Sequence, residues 1–116
     1  MPASEHGDLE NPKKSAYSVE RYESLWELEY MKKLERDKTV VKWTKNHGIV
    51  IEYITEAGNK RGYRPDFLVE KIDGTKQLHE VKGTQFLDNP DTIRKHERAR
   101  TWCKQRRMNF IVVTKK

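Results

Sequence analysis

The chain has 116 residues, a length that accommodates one modest hydrophobic core. Charged residues make up 36% of it and hydrophobic residues 34%, and no apolar run approaches the roughly 20 residues that a membrane span needs. The first residues lack the apolar segment of a secretory signal, and the single cysteine, Cys103, excludes an intrachain disulfide. We therefore expect a cytoplasmic protein that has no membrane segment and no thiolate-rich zinc site.

The formal net charge of +6 is concentrated near the end of the chain. Residues 94–116 contain nine basic side chains and one acidic side chain, whereas residues 1–37 contain six basic and nine acidic ones. Such a basic cluster favours a polyanionic partner, nucleic acid first, although a solubilising surface helix would explain the charge equally well.

The first sixteen residues mix proline, glycine, serine and charged side chains without periodicity. This composition predicts a flexible N-terminal tail over residues 1–16. No internal repeat or low-complexity tract is present in the remainder, so we expect a single domain over residues 17–116.

Residues 18–36 predict a helix that contains strong helix formers and neither glycine nor proline. Apolar side chains recur at every third position from Leu25 to Leu34, which gives the helix one apolar stripe. Either Ser18 or Ser24 could cap its start, because the sequence from Ser24 onward is itself a capping-box pattern.

Four β-rich runs follow this helix, and turn signals separate them. They comprise residues 39–45, 49–54, 63–71 and 76–82. Residues 56–62 are polar and contain two glycines, so they predict a loop.

The periodicity then changes, and a proline after two cap-forming residues predicts a helix from about Pro90 to Arg107. Residues 109–114 are almost wholly apolar, which predicts a strand buried on both faces. A strand that follows a helix usually runs parallel to its neighbour in the sheet. The order of elements therefore indicates an α/β fold of helix, three or four strands, helix and strand.

Three charged residues lie in or beside these apolar runs, and the turn between two strands decides whether they meet. Glu80 and Lys82 share one face of a strand because side chains alternate along it. A two-residue loop before this strand would put Asp66 on the opposite face from Glu80. A three-residue loop with Gly74 at positive φ would instead place Asp66 opposite Glu80.

Two carboxylates about 5 Å apart on a sheet face repel one another unless a cation lies between them. Mg²⁺ takes carboxylate oxygens as ligands, and a neighbouring ammonium group would stabilise charge on a phosphoryl oxygen. The set of Asp66, Glu80 and Lys82 therefore indicates metal-assisted hydrolysis of a phosphodiester. The alternative is an ordinary hairpin with charged residues on its solvent side.

The pattern of Pro65-Asp66, followed after 13 residues by Glu80-Val81-Lys82, resembles the PD-(D/E)xK nuclease superfamily. The resemblance covers roughly residues 20–114 and is closest to the N-terminal nuclease domain of TnsA-type transposon endonucleases and the nuclease domain of type III restriction subunits. Matching segments include Ser24–Glu27, Tyr63–Val69, Arg100–Cys103 and Phe110–Thr114. It implies a restriction-endonuclease-like fold with an αβββαβ core, in which helices flank a mixed sheet.

The resemblance also implies roles for individual residues. Asp66 and Glu80 would bind the metal, the carbonyl of Val81 would be a third ligand, and Lys82 would be the catalytic lysine. Glu27 aligns with a glutamate that the family often adds from the first helix, although a capping role or a plain surface position would explain it as well. The implied cofactor is Mg²⁺, for which Mn²⁺ would substitute, and no small-molecule cofactor is expected.

The last predicted helix supplies candidate contacts to nucleic acid, because arginine and lysine bind phosphates with little regard to sequence. The candidates are Arg94, Lys95, Arg98, Arg100 and Lys104. Related nucleases often carry a helix lysine at the place of Lys95, and part of the set could equally be solvated surface.

The residues and the resemblance together indicate a metal-dependent DNA endonuclease that hydrolyses backbone phosphodiesters. Two alternatives stay open: a structure-selective junction-resolving or repair nuclease, and a non-catalytic DNA-binding subunit of a larger nucleoprotein assembly. Because so short a chain covers few base pairs, we expect a homodimer or a larger protein partner, in the nucleoid or the host cytoplasm.

Overall fold

The computed structural model describes residues 5–115, which form eight strands and two α-helices. In chain order they are β1 (Gly7–Glu10), β2 (Val19–Tyr22), α1 (Leu25–Arg36), β3 (Val40–Thr44), β4 (Ile51–Ile54), β5 (Lys60–Tyr63), β6 (Phe67–Lys71), β7 (Lys76–Gly83), α2 (Pro90–Gln105) and β8 (Asn109–Lys115). A 3₁₀ turn, Thr84–Phe86, follows β7. The order α1-β3-β6-β7-α2-β8 is the expected αβββαβ core, and β4 and β5 form an added hairpin within it.

The strands pair in both directions, so the main sheet is mixed. β3 pairs with β6 antiparallel, whereas β7 pairs with β8 parallel. The parallel pair is joined through α2, as a parallel connection requires a crossover. The α/β class and the restriction-endonuclease-like fold predicted from the sequence are therefore confirmed. Neither helix of the described chain has the length or the apolar composition to span a bilayer.

The chain forms two compact units. The first comprises the chain up to His47 together with Phe67–Thr75, and the second comprises Gly48–Asp66 and the chain from Lys76 onward. In the first unit, the rings of Tyr30 and Trp43 pack on Phe67 at centroid distances of 5.4 and 5.9 Å.

The second unit is built around the buried face of α2, which contacts β4 and β8. That face carries Thr92, His96, Ala99 and Cys103, all of them buried. His96, Ala99 and Cys103 stand at i, i+3 and i+7, the spacing of one helix face. The helix begins where the sequence predicted, because the Asn89 side chain accepts hydrogen bonds from the N–H groups of Asp91 and Thr92.

The N-terminal segment differs from the flexible tail that the sequence predicted. β1 lies inside the expected tail and pairs antiparallel with β2, and the backbone N–H of Lys14 donates to the Glu35 carboxylate over 2.9 Å. Residues 1–4 of the predicted tail lie outside the described residues. Long-range partners of this kind leave no local pattern in the sequence.

The first helix is shorter than predicted, since residues 19–22 form a strand and α1 begins at Leu25. Of the two candidate caps, Ser24 is the N-cap, and its hydroxyl accepts from the N–H of Glu27. Glu20, fully buried in β2, explains the difference, because its carboxylate accepts hydrogen bonds from Ser15 and from the backbone of Lys45.

Two strand predictions also need correction. The expected loop 56–62 contains the start of β5, and the run predicted over residues 63–71 is interrupted at Arg64–Asp66, where Pro65 has no N–H to donate. β8 was predicted to be buried on both faces, but Ile111 is 37% exposed and the strand is only partly covered. Among the described strands, β7 is the one that pairs with β8, so the other edge of β8 has no strand partner there.

The turn after β6 has the three-residue form. The N–H of Lys71 donates to the carbonyl of Thr75 over 2.8 Å, the N–H of Gly74 donates back to Lys71, and Gly74 has a φ of 87°. The Asp73 carboxylate accepts from both the N–H and the hydroxyl of Thr75, which fixes the loop. This is the odd-length loop that the sequence argument required for Asp66 and Glu80 to share a face.

Candidate active site

The site begins where the added hairpin ends and β6 starts. Asp66, directly after the buried Pro65, directs a carboxylate oxygen to the backbone N–H of Val81, which donates to it over 2.8 Å. The backbone N–H of Asp66 in turn interacts with the Glu80 carboxylate as a hydrogen-bond donor and lowers its pKa. Asp66 and Glu80 are thus neighbours in the second unit, and a backbone hydrogen bond holds the aspartate in place.

Glu80 is the most buried carboxylate of this site, with 6% of its surface exposed. Its Oε2 lies 3.6 Å from the Lys82 ammonium, and its Oε1 is buried without a hydrogen-bond partner among the described residues. Burial raises the pKa of Glu80, while Tyr63, Lys82, Lys95 and the Asp66 N–H act in the opposite direction. A buried carboxylate oxygen with no donor is costly, and a bound cation is a group that would offset this cost.

Two lysines interact electrostatically with the carboxylates of Asp66 and Glu80. Lys82 shares the face of β7 with Glu80, as strand alternation predicted, and its ammonium also lies 5.9 Å from the centroid of the Phe86 ring. Lys95 arrives from α2, and burial, together with the cation of Lys82, lowers its pKa against the carboxylates of the site. The structure therefore brings together Asp66, Glu80, Lys82 and Lys95 from the sequence-predicted set.

Two buried aromatic side chains border this group, and the sequence argument did not assign either to the site. Tyr63, the last residue of β5, lies with its ring 5.2 Å from the Lys95 ammonium. His96, next to Lys95 on α2, lies 6.2 Å from the Tyr63 ring, and burial lowers its pKa to about 4. The only sequence signal for Tyr63 was its place in the matching segment that leads to Asp66.

The donor set suits a hard divalent cation. Among residues 5–115, no group of three or more His, Cys, Asp or Glu side chains is arranged to hold a metal ion. The two carboxylates of Asp66 and Glu80 remain as candidate ligands, and Mg²⁺ is commonly held by one or two carboxylates with water and substrate phosphate. The unpartnered Oε1 of Glu80 is the observation that fits such an ion.

Glu27 belongs to the first unit and has partners there. Its Oε1 accepts from the backbone N–H of Glu23 over 2.8 Å and pairs with the Lys45 ammonium at 2.5 Å. The side chain thus contributes to the start of α1, as the capping interpretation predicted. Its catalytic role stays a prediction.

The five cations predicted to bind nucleic acid do not form one face of α2. Successive residues are rotated by about 100° around a helix, so Arg94, Lys95 and Arg98 lie on one side and Arg100 and Lys104 on another. Arg94 and Arg98 line a shallow groove of about 270 Å³ beside β4. The guanidinium of Arg100 instead lies 6.0 Å from the Phe110 ring on β8.

Comparison with known proteins agrees with this geometry. Residues 37–115, about two-thirds of the chain, match the family described as TnsA-like endonuclease N terminal. A search of curated proteins finds no match. The matched region includes β3 to β8 and with them Asp66, Glu80, Lys82 and Lys95. The chain therefore belongs to the TnsA-like endonuclease N-terminal domain family, a family of PD-(D/E)xK-type nucleases.

Proposed function

We propose that this protein is a Mg²⁺-dependent endodeoxyribonuclease that hydrolyses backbone phosphodiesters. The observation that carries the proposal is the buried Glu80 carboxylate, which has one unpartnered oxygen and lies beside Asp66. Two carboxylates held together repel one another; Lys82 and Lys95 offset part of that repulsion, and a divalent ion would offset the rest.

Asp66, Glu80 and the Val81 carbonyl are the groups that would hold Mg²⁺, for which Mn²⁺ would substitute. The hydrogen bond from the Val81 N–H fixes one oxygen of Asp66, and the ion would be the binding partner that Oε1 of Glu80 lacks. When bound, the ion would provide Lewis-acid stabilisation of charge on the phosphate and lower the pKa of the attacking water.

Lys82 and Lys95 supply positive charge from the protein itself. The Lys82 ammonium lies close enough to Glu80 to be held by it, yet the pair distance of 3.6 Å leaves its hydrogens available to a phosphate oxygen. Lys95 is half-buried and interacts with both carboxylates of the site. In this proposal Lys82 stabilises charge that develops on the phosphate or positions the water, and Lys95 contacts the backbone phosphate next to it.

DNA would reach the site along one side of α2. Lys95 points into the site, and Arg98 follows it at i+3, which makes the two neighbours on the helix surface. Arg94 and Arg98 are exposed and border the same groove. We therefore assign the phosphate contacts nearest the cut to Arg94, Lys95 and Arg98, and more distant contacts to Arg100 and Lys104.

Glu27 would assist catalysis from the first helix. Its side chain is 14% exposed and paired with Lys45, so it is a charged group held in one position rather than a mobile surface chain. Replacing Glu27 by Gln should reduce cleavage, whereas the same change at the exposed Glu29, two residues further along α1, should not.

The chain is small, so we also propose that it acts as a homodimer or with a larger protein partner, in the nucleoid or the host cytoplasm. The edge of β8 that pairs with no described strand is a surface at which such a partner could bind.

The proposal is tested by incubating the purified protein with plasmid, linear duplex, single-stranded and four-way-junction DNA in Mg²⁺, Mn²⁺ or EDTA. We expect cleavage in either metal, none in EDTA, and none for Asp66→Asn. Asp88→Asn, a change at an exposed aspartate beyond the site, is the matched control. Binding without cleavage in any metal would favour a non-catalytic subunit, and cleavage confined to junctions would favour a resolving nuclease.

A further inference from the structure

Tyr63 lies directly behind the proposed active site and is almost fully buried, with 5% of its surface exposed. Its ring is fixed by the rings of His96 and Phe110, at centroid distances of 6.2 and 6.3 Å. The ammonium of Lys95 lies 5.2 Å from the ring centroid, within the range of a cation–π contact. One face of this tyrosine therefore supports a lysine of the site.

The hydroxyl of Tyr63 approaches the site from the other end of the same side chain. Its Oη atom is buried and is directed at the Glu80 carboxylate, without reaching the geometry of a full hydrogen bond to any described residue. The two groups are near each other, since the Tyr63 phenol lowers the pKa of Glu80 and the Glu80 carboxylate raises the pKa of the phenol. A phenol hydroxyl donates and a carboxylate accepts, so this interaction places Tyr63 to orient the Glu80 carboxylate.

We propose that Tyr63 is a positioning residue of the nuclease site: its hydroxyl orients the Glu80 carboxylate, and its ring holds the Lys95 ammonium beside it. The inference rests on the proposed function and deepens it. Tyr63 acts through these two residues and does not itself contact the phosphate. Groups that orient a metal ligand from behind also set the affinity for the metal, and their mutation typically weakens it by about tenfold to hundredfold.

The test is Tyr63→Phe, which removes the hydroxyl and keeps the ring. Mn²⁺ binding, measured by titration calorimetry, should weaken by about tenfold to hundredfold. The melting temperature without metal should change little, because the hydroxyl makes no full hydrogen bond within the described chain. A purely structural tyrosine would give the reverse pattern, with a lower melting temperature and unchanged Mn²⁺ affinity.

Tyr30→Phe is the matched control, because Tyr30 is also buried and packs on an aromatic ring but belongs to the first unit. It should leave Mn²⁺ affinity unchanged. Tyr63→Leu removes the ring as well, and compared with Tyr63→Phe it should weaken DNA binding in Ca²⁺ by a further twofold to fivefold, roughly the strength of an exposed cation–π contact.

The outcomes separate this inference from the proposed function. If the wild type binds no Mn²⁺, the proposed function fails and the inference fails with it. If Asp66→Asn abolishes Mn²⁺ binding but Tyr63→Phe binds as the wild type does, only the positioning role is overturned. If neither Tyr63→Phe nor the apolar replacement Tyr63→Met folds, the hydroxyl is a structural group and the inference is again overturned.

Discussion

His96 should make the protein lose stability in mild acid. The imidazole is 5% exposed on the packed face of α2, and its Nε2 is a buried atom without a hydrogen-bond partner among residues 5–115. Burial first, and then the cations of Lys82, Arg100 and Lys95, lowers its pKa from 6.5 to about 4. The native protein therefore holds this ring neutral under conditions in which the unfolded chain protonates it.

The direction and the size of this effect of pH on the free energy of unfolding follow from proton linkage. Because the folded pKa is depressed, the stabilisation is fully present above the unfolded pKa near 6.5 and is lost as the pH falls toward 4. Between about pH 7.5 and about pH 5, these two values correspond to a loss of roughly 2 kcal/mol in the free energy of unfolding. Burial raises the pKa of Glu80 above its ordinary 4.5, so in the pH range just above that value Glu80 makes the protein more stable as the pH falls, opposite to His96.

The perturbation is His96→Leu, and the assay is urea unfolding followed by circular dichroism at a series of pH values. The difference between variant and wild type isolates His96, because the contribution of Glu80 is common to both. At neutral pH the variant should match or exceed the wild type in its free energy of unfolding. Near pH 5 this difference should have grown in favour of the variant by about 2 kcal/mol. His6→Leu, at an exposed histidine, should follow the wild type. Parallel curves for His96→Leu and the wild type would refute the reasoning.

Three further changes test other parts of the structure. Lys82→Ala should abolish cleavage but retain Mn²⁺ binding, as judged by gel assay and calorimetry, whereas Lys76→Ala, exposed on the same strand, should cut normally. Arg94→Glu with Arg98→Glu should weaken binding to all duplexes and make the slope of log K against log salt shallower by roughly two, measured by fluorescence anisotropy in Ca²⁺. Arg100→Glu with Lys104→Glu should reduce cleavage less than the first double variant does. Equal losses of cleavage in the two double variants would contradict the proposed DNA path. Gly74→Ala should destabilise the protein by about 1 kcal/mol in urea unfolding, because the residue has a φ of 87° and a Cβ there meets no atom within 4 Å, so strain is the only cost; an unchanged midpoint would show that the turn relaxes.

The parts of the fold that follow local rules could be predicted from the sequence. The asparagine cap and proline at the start of α2, the three-residue loop at Gly74 and the shared face of Glu80 and Lys82 all depend on residues close together in the chain. The loop prediction mattered most, because its length determines the face on which Asp66 lies.

The errors arose where distant partners override a local pattern. Glu20 has the composition of a helix segment around it, yet it is buried in β2 by hydrogen bonds from Ser15 and Lys45, the latter 25 residues away. β8 has an apolar sequence typical of a central strand, but it pairs with β7 and leaves Ile111 exposed. Pairing partners of this kind cannot be read from one segment alone.

The candidate site shows the same division. Asp66, Glu80 and Lys82 were predictable because strand parity and a turn connect them. The hydrogen bond from the Val81 N–H to Asp66 was not, since it uses a backbone group that every residue carries. The approach of Lys95 and the burial of Tyr63 depend on how α2 and β5 pack within the second unit, which no spacing in the sequence specifies.

The central claim is that Asp66 and Glu80 together bind a catalytic divalent metal ion. Its most direct test is the anomalous scattering of Mn²⁺ in crystals of the wild-type protein grown with that ion. The account predicts one strong anomalous peak bounded by carboxylate oxygens of Asp66 and Glu80 and by the Val81 carbonyl, and its absence from crystals of Asp66→Asn. A wild-type crystal with no peak between these carboxylates, or with the same peak retained in Asp66→Asn, would contradict it.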